Sequence, residues 1–317
     1  MENLKEEYIY ERLSKDNLKD LLYLIKDCYN REDSIERLKK KYNTKAWGAE
    51  YVGYLAYSNE TKEPAAYYGV FPISFSYKGE TLLAAQSGDT MTHSNHRRKG
   101  LFTKLAKVCY TLAQNEGIKF VFGFPVDASF PGFKKKLDWK FHEKINAYDF
   151  LVFTIPIAEI LKRTNATFFK SYLKFVKRFF KKNQVSSVNI TNSVLKEGMA
   201  GIKRDDDYLL YKNDESKFFV QKNSATAWIK IDGTIAIGDI FYENEKDVYK
   251  LITKLKWIAF LLGISRVRAY FSPNTKIDSL LKKIKAPREG INVGYLDFES
   301  GIPIEKMKFA FADFDTF

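Results

Sequence analysis

The chain is poor in the residues that build disulfide frameworks and metal centres, with 2 cysteines and 3 histidines among 317 residues. Cys28 and Cys109 fall in helix-patterned stretches beside apolar neighbours, where a free thiol behaves as a small core side chain, so no disulfide framework is expected. There is no Cys-x-x-Cys, and no spacing of ligands suggests a structural zinc. No metal is expected. His93 and His96 form a loop pair and read as polar surface. No apolar run reaches the roughly eighteen residues that a membrane span needs. The segment Met1 to Glu7 is charged rather than basic and then apolar, which excludes a signal peptide by this reading. A cytoplasmic protein is the expectation. Arginine-rich clusters and aromatic motifs for stacking single strands are also lacking, which argues against nucleic acid as a partner.

A composition of 45% hydrophobic residues over 317 positions is enough for two domains with full cores. The 52 Lys and Arg outnumber the 39 Asp and Glu, a formal charge of +13 that concentrates any anionic partner near the surface. The most informative stretch is His96-Arg97-Arg98-Lys99-Gly100-Leu101-Phe102. It follows an apolar run, Thr81 to Ala85, and opens a helix pattern, Leu101 to Gln114. A strand, a basic glycine turn and a helix in that order aim unpaired backbone N–H groups and the positive end of the helix dipole at one spot, where a pyrophosphate can sit. Gly100 allows close approach of the backbone.

Ahead of this loop, Tyr51 to Tyr57, Ala65 to Tyr77 and Thr81 to Met91 read as an antiparallel meander, punctuated by Ser58-Asn59-Glu60 and Lys78-Gly79-Glu80. Behind the helix come Ile118 to Phe124, a short helix ending near Leu137, then Asp138-Trp139 and another strand. Two helix-patterned stretches precede the meander. Arg97-x-x-Gly100-x-Phe102 in this context resembles the acyl-CoA pyrophosphate loop of the GNAT acyltransferase superfamily, and Leu137-Asp138-Trp139 is similar to that family's Leu-Gly-Phe. Phe102 departs from the Gly or Ala usual at its position. The resemblance implies an α/β (α+β) fold with a mixed, mostly antiparallel sheet flanked by helices, over residues 1–155. It further implies acetyl-CoA or another acyl-CoA as cosubstrate, held by Thr90, Met91, Thr92, Arg97, Arg98, Lys99, Gly100, Leu101, Phe102 and Thr103, and transfer to the amine of a small-molecule acceptor.

Acyl transfer from a thioester needs a donor for the carbonyl, a base for the amine and, in some enzymes, an acid for the thiolate. The resemblance gives the first role to backbone N–H groups at Thr90 to Thr92. The tyrosine that family members carry ahead of Leu-Gly-Phe is replaced here by Phe133 and Lys134; Tyr148 or water could substitute. Candidate catalytic groups are Asp89, late on the strand leading to the loop, His93, and Asp315, with Asp127 as a further carboxylate. The alternatives are a turn or surface carboxylate at Asp89, a solvated ring at His93, and an acidic edge strand paired with nearby lysines at Asp315.

Residues 156–194 read as a basic helical connector and linker. Ile157 to Lys182 is helix-patterned, with apolar residues at three and four spacing and lysines opposite. Residues 168–182 could lie on an anionic membrane, but a connector packed by its apolar face is preferred. Asn183 to Asn192 reads as the linker. From 195 to 317 a second unit follows: Phe218-Phe219-Val220, Ala225 to Ile231 and Thr234 to Tyr242 as strands with a hairpin at Asp232-Gly233, a helix Lys246 to Leu262, a strand Ser265 to Phe271, and a helix Lys276 to Ile284. This order echoes the first unit, and a degenerate GNAT-like domain is expected. Glu243, Glu245 and Asp247 stand where Arg-x-x-Gly would be, and they would repel a pyrophosphate.

The terminus Phe309 to Phe317 alternates aromatic and acidic residues. Read as a strand, it places Asp313 and Asp315 on one face, where they could hold a cationic amine. Such Asp-x-Asp endings are similar to those of GNAT-like proteins of surface-polysaccharide synthesis, which suggests an amino sugar as acceptor. Two other functions compete: a peptidoglycan-type aminoacyltransferase using aminoacyl-tRNA, and a non-enzymatic acyl-CoA-binding protein.

Overall fold

A computed structural model describes residues 7–185 and 191–317. Residues 1–6 of the charged N-terminus and 186–190 of the expected linker lie outside the described residues. The chain forms two units that interleave in sequence: Met1–Phe75, Glu80–His142 and Val293–Gly301 in the first, and Ser76–Gly79, Glu143–Asn292 and Ile302–Phe317 in the second. The expected segments 1–155, 156–194 and 195–317 are each continuous in sequence, whereas these compact units interleave. The strand expected to close the first unit passes into the second at Glu143, and a late segment of the chain joins the first.

The first unit contains β1 (Tyr8–Arg12), α1 (Leu18–Tyr29), α2 (Ile35–Tyr42), β2 (Gly53–Ser58), β3 (Pro64–Tyr77), β4 (Glu80–Thr92), α3 (Leu101–Asn115), β5 (Phe120–Gly123) and α4 (Phe130–Lys136). Strand β6 (Lys140–Leu151) follows. The sheet order is β1-β2-β3-β4-β5, and β5 then pairs antiparallel with residues 294–297 of β12 (Arg288–Asp297). The meander and both helices before it lie where the sequence patterns put them. Strand β1 is not among the expected elements: Tyr8 and Tyr10 face the core, but Ile9 lies exposed between them, so the residue types show no apolar–polar alternation. One face of the sheet packs on α3, through Leu101, Leu105, Ala106 and Cys109. The other packs on α1 and α2, through Leu21, Leu24, Leu38 and Tyr42.

The second unit holds α5 (Ile157–Thr164), α6 (Ala166–Asn183), β7 (Gly201–Ile202), α7 (Asp206–Lys212), β8 (Lys217–Lys222), β9 (Ala225–Ile231), β10 (Ile235–Phe241), α8 (Glu245–Leu261), β11 (Arg266–Phe271) and α9 (Lys276–Ile284). Its sheet runs β6-β11-β10-β9-β8, antiparallel except where β10 lies parallel to β11. The expected hairpin joins β9 to β10, with Gly233 at φ 99°. The connector is two helices rather than one. Asn165, at φ −153°, leaves helical geometry and accepts the Phe168 N–H at 3.0 Å, which ends α5 and caps α6. Val176 and Phe180 of α6 are buried in the second unit's core.

The C-terminus docks, but not as a strand. Phe311–Asp313 is a turn of 3-10 helix. Asp313 and Asp315 therefore do not share a strand face. Asp313 accepts the Arg204 guanidinium, Nη2 at 2.8 Å and Nε at 3.2 Å, and the Ala310 N–H at 2.8 Å, while Arg204 Nη1 donates to Asp239. All three side chains are fully buried. Removing the cation would leave two uncompensated carboxylates. Arg204→Ala is expected to lower stability by about 3–5 kcal/mol in urea unfolding followed by tryptophan fluorescence. A loss below about 1 kcal/mol would show that water replaces the guanidinium.

Candidate active site

The site of interest in the first unit begins where β4 parts from β5. Their parallel pairing covers only Ala85↔Val121 and Gln86↔Phe122, although β4 runs on to Thr92. Asp89 has φ 51°, a left-handed residue inside a strand. Alternation would give Ser87 and Asp89 the same face. Instead Ser87 Oγ meets Tyr68 OH at 2.9 Å on the α3 side, whereas Asp89 reaches α2, so the kink at Asp89 changes the face. Past the kink, the His93 N–H donates to Ala65 O of β3 at 2.9 Å. Alternation then puts the N–H groups of Thr90 and Thr92 on the opposite edge, the one that β5 has left.

The carbonyls on that edge are tied to α1 and the loop. Thr90 O accepts Tyr29 OH at 3.2 Å, and Thr92 O accepts Cys28 Sγ at 3.4 Å and Arg97 Nε at 3.5 Å. Asp27 of α1 takes the Ser94 N–H at 2.8 Å and its hydroxyl at 2.9 Å, pinning the start of the loop. His93 is buried, not surface. Its ring stacks on Tyr23 with centroids 5.2 Å apart, and Nδ1 accepts the Asn95 N–H at 3.3 Å. The neutral ring therefore carries its proton on Nε2, facing Tyr23 OH at 3.2 Å and Asp27 at 3.5 Å. Both nitrogens are committed to holding the loop.

Arg98 at φ 66° and Gly100 at φ 76° turn the backbone left-handed on either side of Lys99, the alternation that gathers N–H groups into an anion-binding concavity. No side chain caps α3, and its first backbone bond is Lys104 N–H to Gly100 O at 3.1 Å. The N–H groups of Leu101, Phe102 and Thr103 thus belong to the unpaired first turn. A Cβ on Gly100 would meet nothing within 4 Å, so the turn is open at Gly100 itself. Lys99 is engaged by Glu7, while Arg98 is exposed and has no ion pair with any described residue. The Phe102 ring packs edge-on to Tyr68 and Phe133 at 5.9 and 5.2 Å and lies against Gly132, where a Cβ would approach to 2.8 Å. A missing side chain on α4 makes room for the bulk.

Asp89 is held by Lys41 at 2.7 Å and Tyr42 OH at 2.8 Å. Burial alone would raise its carboxyl, but the Lys41 charge and the two hydrogen bonds outweigh it and keep the group below the usual carboxylate range. Tyr148 is buried in the second unit, and its hydroxyl donates to Asp278 at 2.6 Å. Asp315 belongs to the second unit. A hydrogen-bonded row absent from the sequence reading ends at Ser87: Trp139 Nε1 donates to Tyr110 OH at 2.9 Å, Tyr110 meets Tyr68 at 2.8 Å, and Tyr68 meets Ser87. With the indole as fixed donor, a consistent row leaves the Ser87 proton pointing onward.

Residues 10–141 match the acetyltransferase (GNAT) domain model. They are a GNAT acetyltransferase domain. A putative acetyltransferase from Pyrococcus horikoshii shares the fold, with a TM-score of 0.57 at 17% identity, over 99% of this chain and 97% of that one. A probable N-acyltransferase from Enterococcus faecalis V583 gives 0.59 at 13% identity, over 92% of this chain and 73% of that one. A GCN5-related N-acetyltransferase from Kribbella flavida gives 0.56 at 12% identity, over 91% and 70%. No curated protein sequence matches the chain. The mixed, mostly antiparallel sheet with flanking helices is thus the fold expected from the GNAT resemblance.

The second unit repeats the arrangement around β10, α8 and β11 but fills it. Strand β10 slips register between Ile237 and Asp239, and its parallel partner β11 is paired only as far as Ile237. The C-terminal segment enters there: Ala310 bridges Phe271, Ser272 N–H donates to Phe309 O at 2.8 Å, and the Phe317 ring lies on Gly238. Asn244 caps α8 and accepts the Lys246 N–H at 2.9 Å. Asp247 in its first turn accepts from Asn223 and from the Ser224 hydroxyl.

Asp27 is also held below the ordinary carboxylate range, because the Ser94 hydrogen bonds and the nearby His93 and Arg97 outweigh its burial. A depressed folded pKa adds stability that is complete above the unfolded value, about 4, and is lost as pH falls through the folded one. Hydrogen-exchange protection of the Ser94 amide should accordingly persist at about pH 5 and fall away below about pH 4. Protection that does not change over that range would mean that Asp27 does not hold the loop.

Proposed function

We propose that this protein is an acyl-CoA-dependent N-acyltransferase that moves an acyl group, acetyl by preference, to the amine of a small-molecule acceptor. The observation that carries the reading is the pairing of an uncapped helix N-terminus, open at Gly100, with a strand edge freed by the parting of β4 from β5. The loop from Arg97 to Thr103 would hold the pyrophosphate through backbone N–H groups, with Arg97 and Arg98 supplying charge. The N–H groups at Thr90 and Thr92, flanking Met91, would take the thioester oxygen. The thioester supplies an activated acyl group, and a thiol of pKa about 8.5 departs without full protonation. The Ser87 hydroxyl is our candidate donor to the leaving sulfur, in the role for which the family's tyrosine is missing.

Asp89 in this reading is a charged anchor for Lys41 and Tyr42, and His93 positions the loop. The second unit is read as a degenerate GNAT-like domain whose cofactor place is occupied by the chain's own C-terminus. The amino-sugar suggestion leaned on Asp313 and Asp315 as an amine-binding pair. With Asp313 committed to Arg204, the proposal stays with an amine. Among the described residues no helix is long and apolar enough to cross a membrane, and a cytoplasmic location is proposed.

Acetyl-CoA consumption in the presence of an amine panel tests the function. Gly100→Glu combines backbone strain with a negative charge at the helix N-terminus and should raise KM for acetyl-CoA about 10–100-fold. Ser87→Ala should lower kcat by about tenfold or more with little change in KM. Tight CoA binding with no thioester consumption would favour a binding protein, and dependence on aminoacyl-tRNA would favour the aminoacyltransferase.

A further inference from the structure

The second unit exposes large apolar side chains from three adjoining segments. From the last residue of β6 onward, Leu151, Phe153 and Ile155 alternate outward while Val152 turns in, and Phe153 is fully exposed. This segment runs beside the end of α8: Thr154 Oγ1 donates to Phe260 O at 3.0 Å, and Ala158 N–H donates to Gly263 O at 3.2 Å. There Trp257 and Phe260 stack with centroids 5.5 Å apart, and Trp257, Phe260 and Leu261 are all exposed. Helix α6 is tied to the same corner by Tyr172 OH on Leu262 O at 2.7 Å, and it carries exposed Phe168 and Phe175 seven residues apart, on one face. Scattered surface apolar groups are ordinary, but a cluster of this size marks a contact surface.

The charge around it identifies what it meets. Residues 151–182 hold eight Lys and Arg and one acid, Glu159. Glu159 is itself occupied by the Ser265 hydroxyl. Lys162, Arg163, Lys170 and Lys174 are exposed beside the aromatic groups. We propose that this corner docks the protein on the surface of an anionic lipid bilayer, with Phe153, Ile155 and Trp257 entering the headgroup region and the bases on α5 and α6 facing lipid phosphates. A second copy of the chain is disfavoured by the same charges. A two-fold contact would set this basic rim against itself. The attachment does not come from α6 lying flat by its own apolar stripe, because Val176 and Phe180 of that stripe are already inside the core.

Flotation of the full chain with vesicles tests this. Phosphatidylcholine vesicles with about one third phosphatidylglycerol should carry the protein, and phosphatidylcholine alone should not. The double substitution Phe153→Ser with Trp257→Ser, both outside the second unit's core, should cut binding at least about tenfold, as should Lys162→Glu with Arg163→Glu. Of the four tryptophans, Trp257 is 61% exposed and Trp47 half-buried, while Trp139 and Trp228 are 4% and 1% exposed. Anionic vesicles should therefore shift the tryptophan emission to the blue in the wild type and not in Trp257→Phe, which still floats. The proposal is overturned by any of three results: no flotation with anionic vesicles, flotation unchanged in both double variants, or a dimer that Phe153→Ser with Trp257→Ser dissolves in the absence of vesicle binding.

Discussion

Strand β4 runs beside β5 for two residue pairs and then leaves it. The parting point decides the rest of the first unit. A strand that remained paired would spend its N–H groups on the sheet, whereas one that turns away keeps them for something else. The left-handed residue at Asp89 makes the departure possible without losing the strand, and the Lys41 and Tyr42 contacts hold that residue in a conformation an aspartate adopts at some cost. Helix α1 then fixes the far end through Asp27, Cys28 and Tyr29. The loop that follows delivers an uncapped helix to the same opening.

The second unit shows what happens when the same parting is filled. Strand β10 also slips and leaves its parallel neighbour, but the chain's last residues occupy the gap, and an Asn cap and acidic side chains occupy the start of α8. Arg204 binds that plug to the strand through Asp313 and Asp239. In the proposed reading one topology carries an open site and a closed one, the difference lying in a few side chains and nine terminal residues, Phe309 to Phe317.

Much of this was legible in the chain. The order of strand, basic glycine turn and helix is local, and local patterns survive into structure, so the loop, α3 and the meander lie where the residues predict them. Phe102 looked out of place because its neighbour across space, Gly132, is thirty residues on. Strand β12 is unreadable as part of the first unit, since nothing in Gly294 to Asp297 says that Phe120 to Gly123 will be its partner. The row Trp139, Tyr110, Tyr68 and Ser87 is invisible for the same reason. Asp313 alternates with aromatic residues as a strand would, yet a buried arginine from more than a hundred positions earlier claims it. Period and spacing report faces; they do not report partners.

The central claim is that one unit of this chain holds a CoA site and the other has closed its own. A crystal structure of the protein grown with CoA tests it most directly. The account predicts one CoA per chain, its pyrophosphate on the backbone from Gly100 to Thr103 and its pantetheine along the Thr90 to Thr92 edge. A CoA at the start of α8, with residues 309–317 displaced, would contradict it.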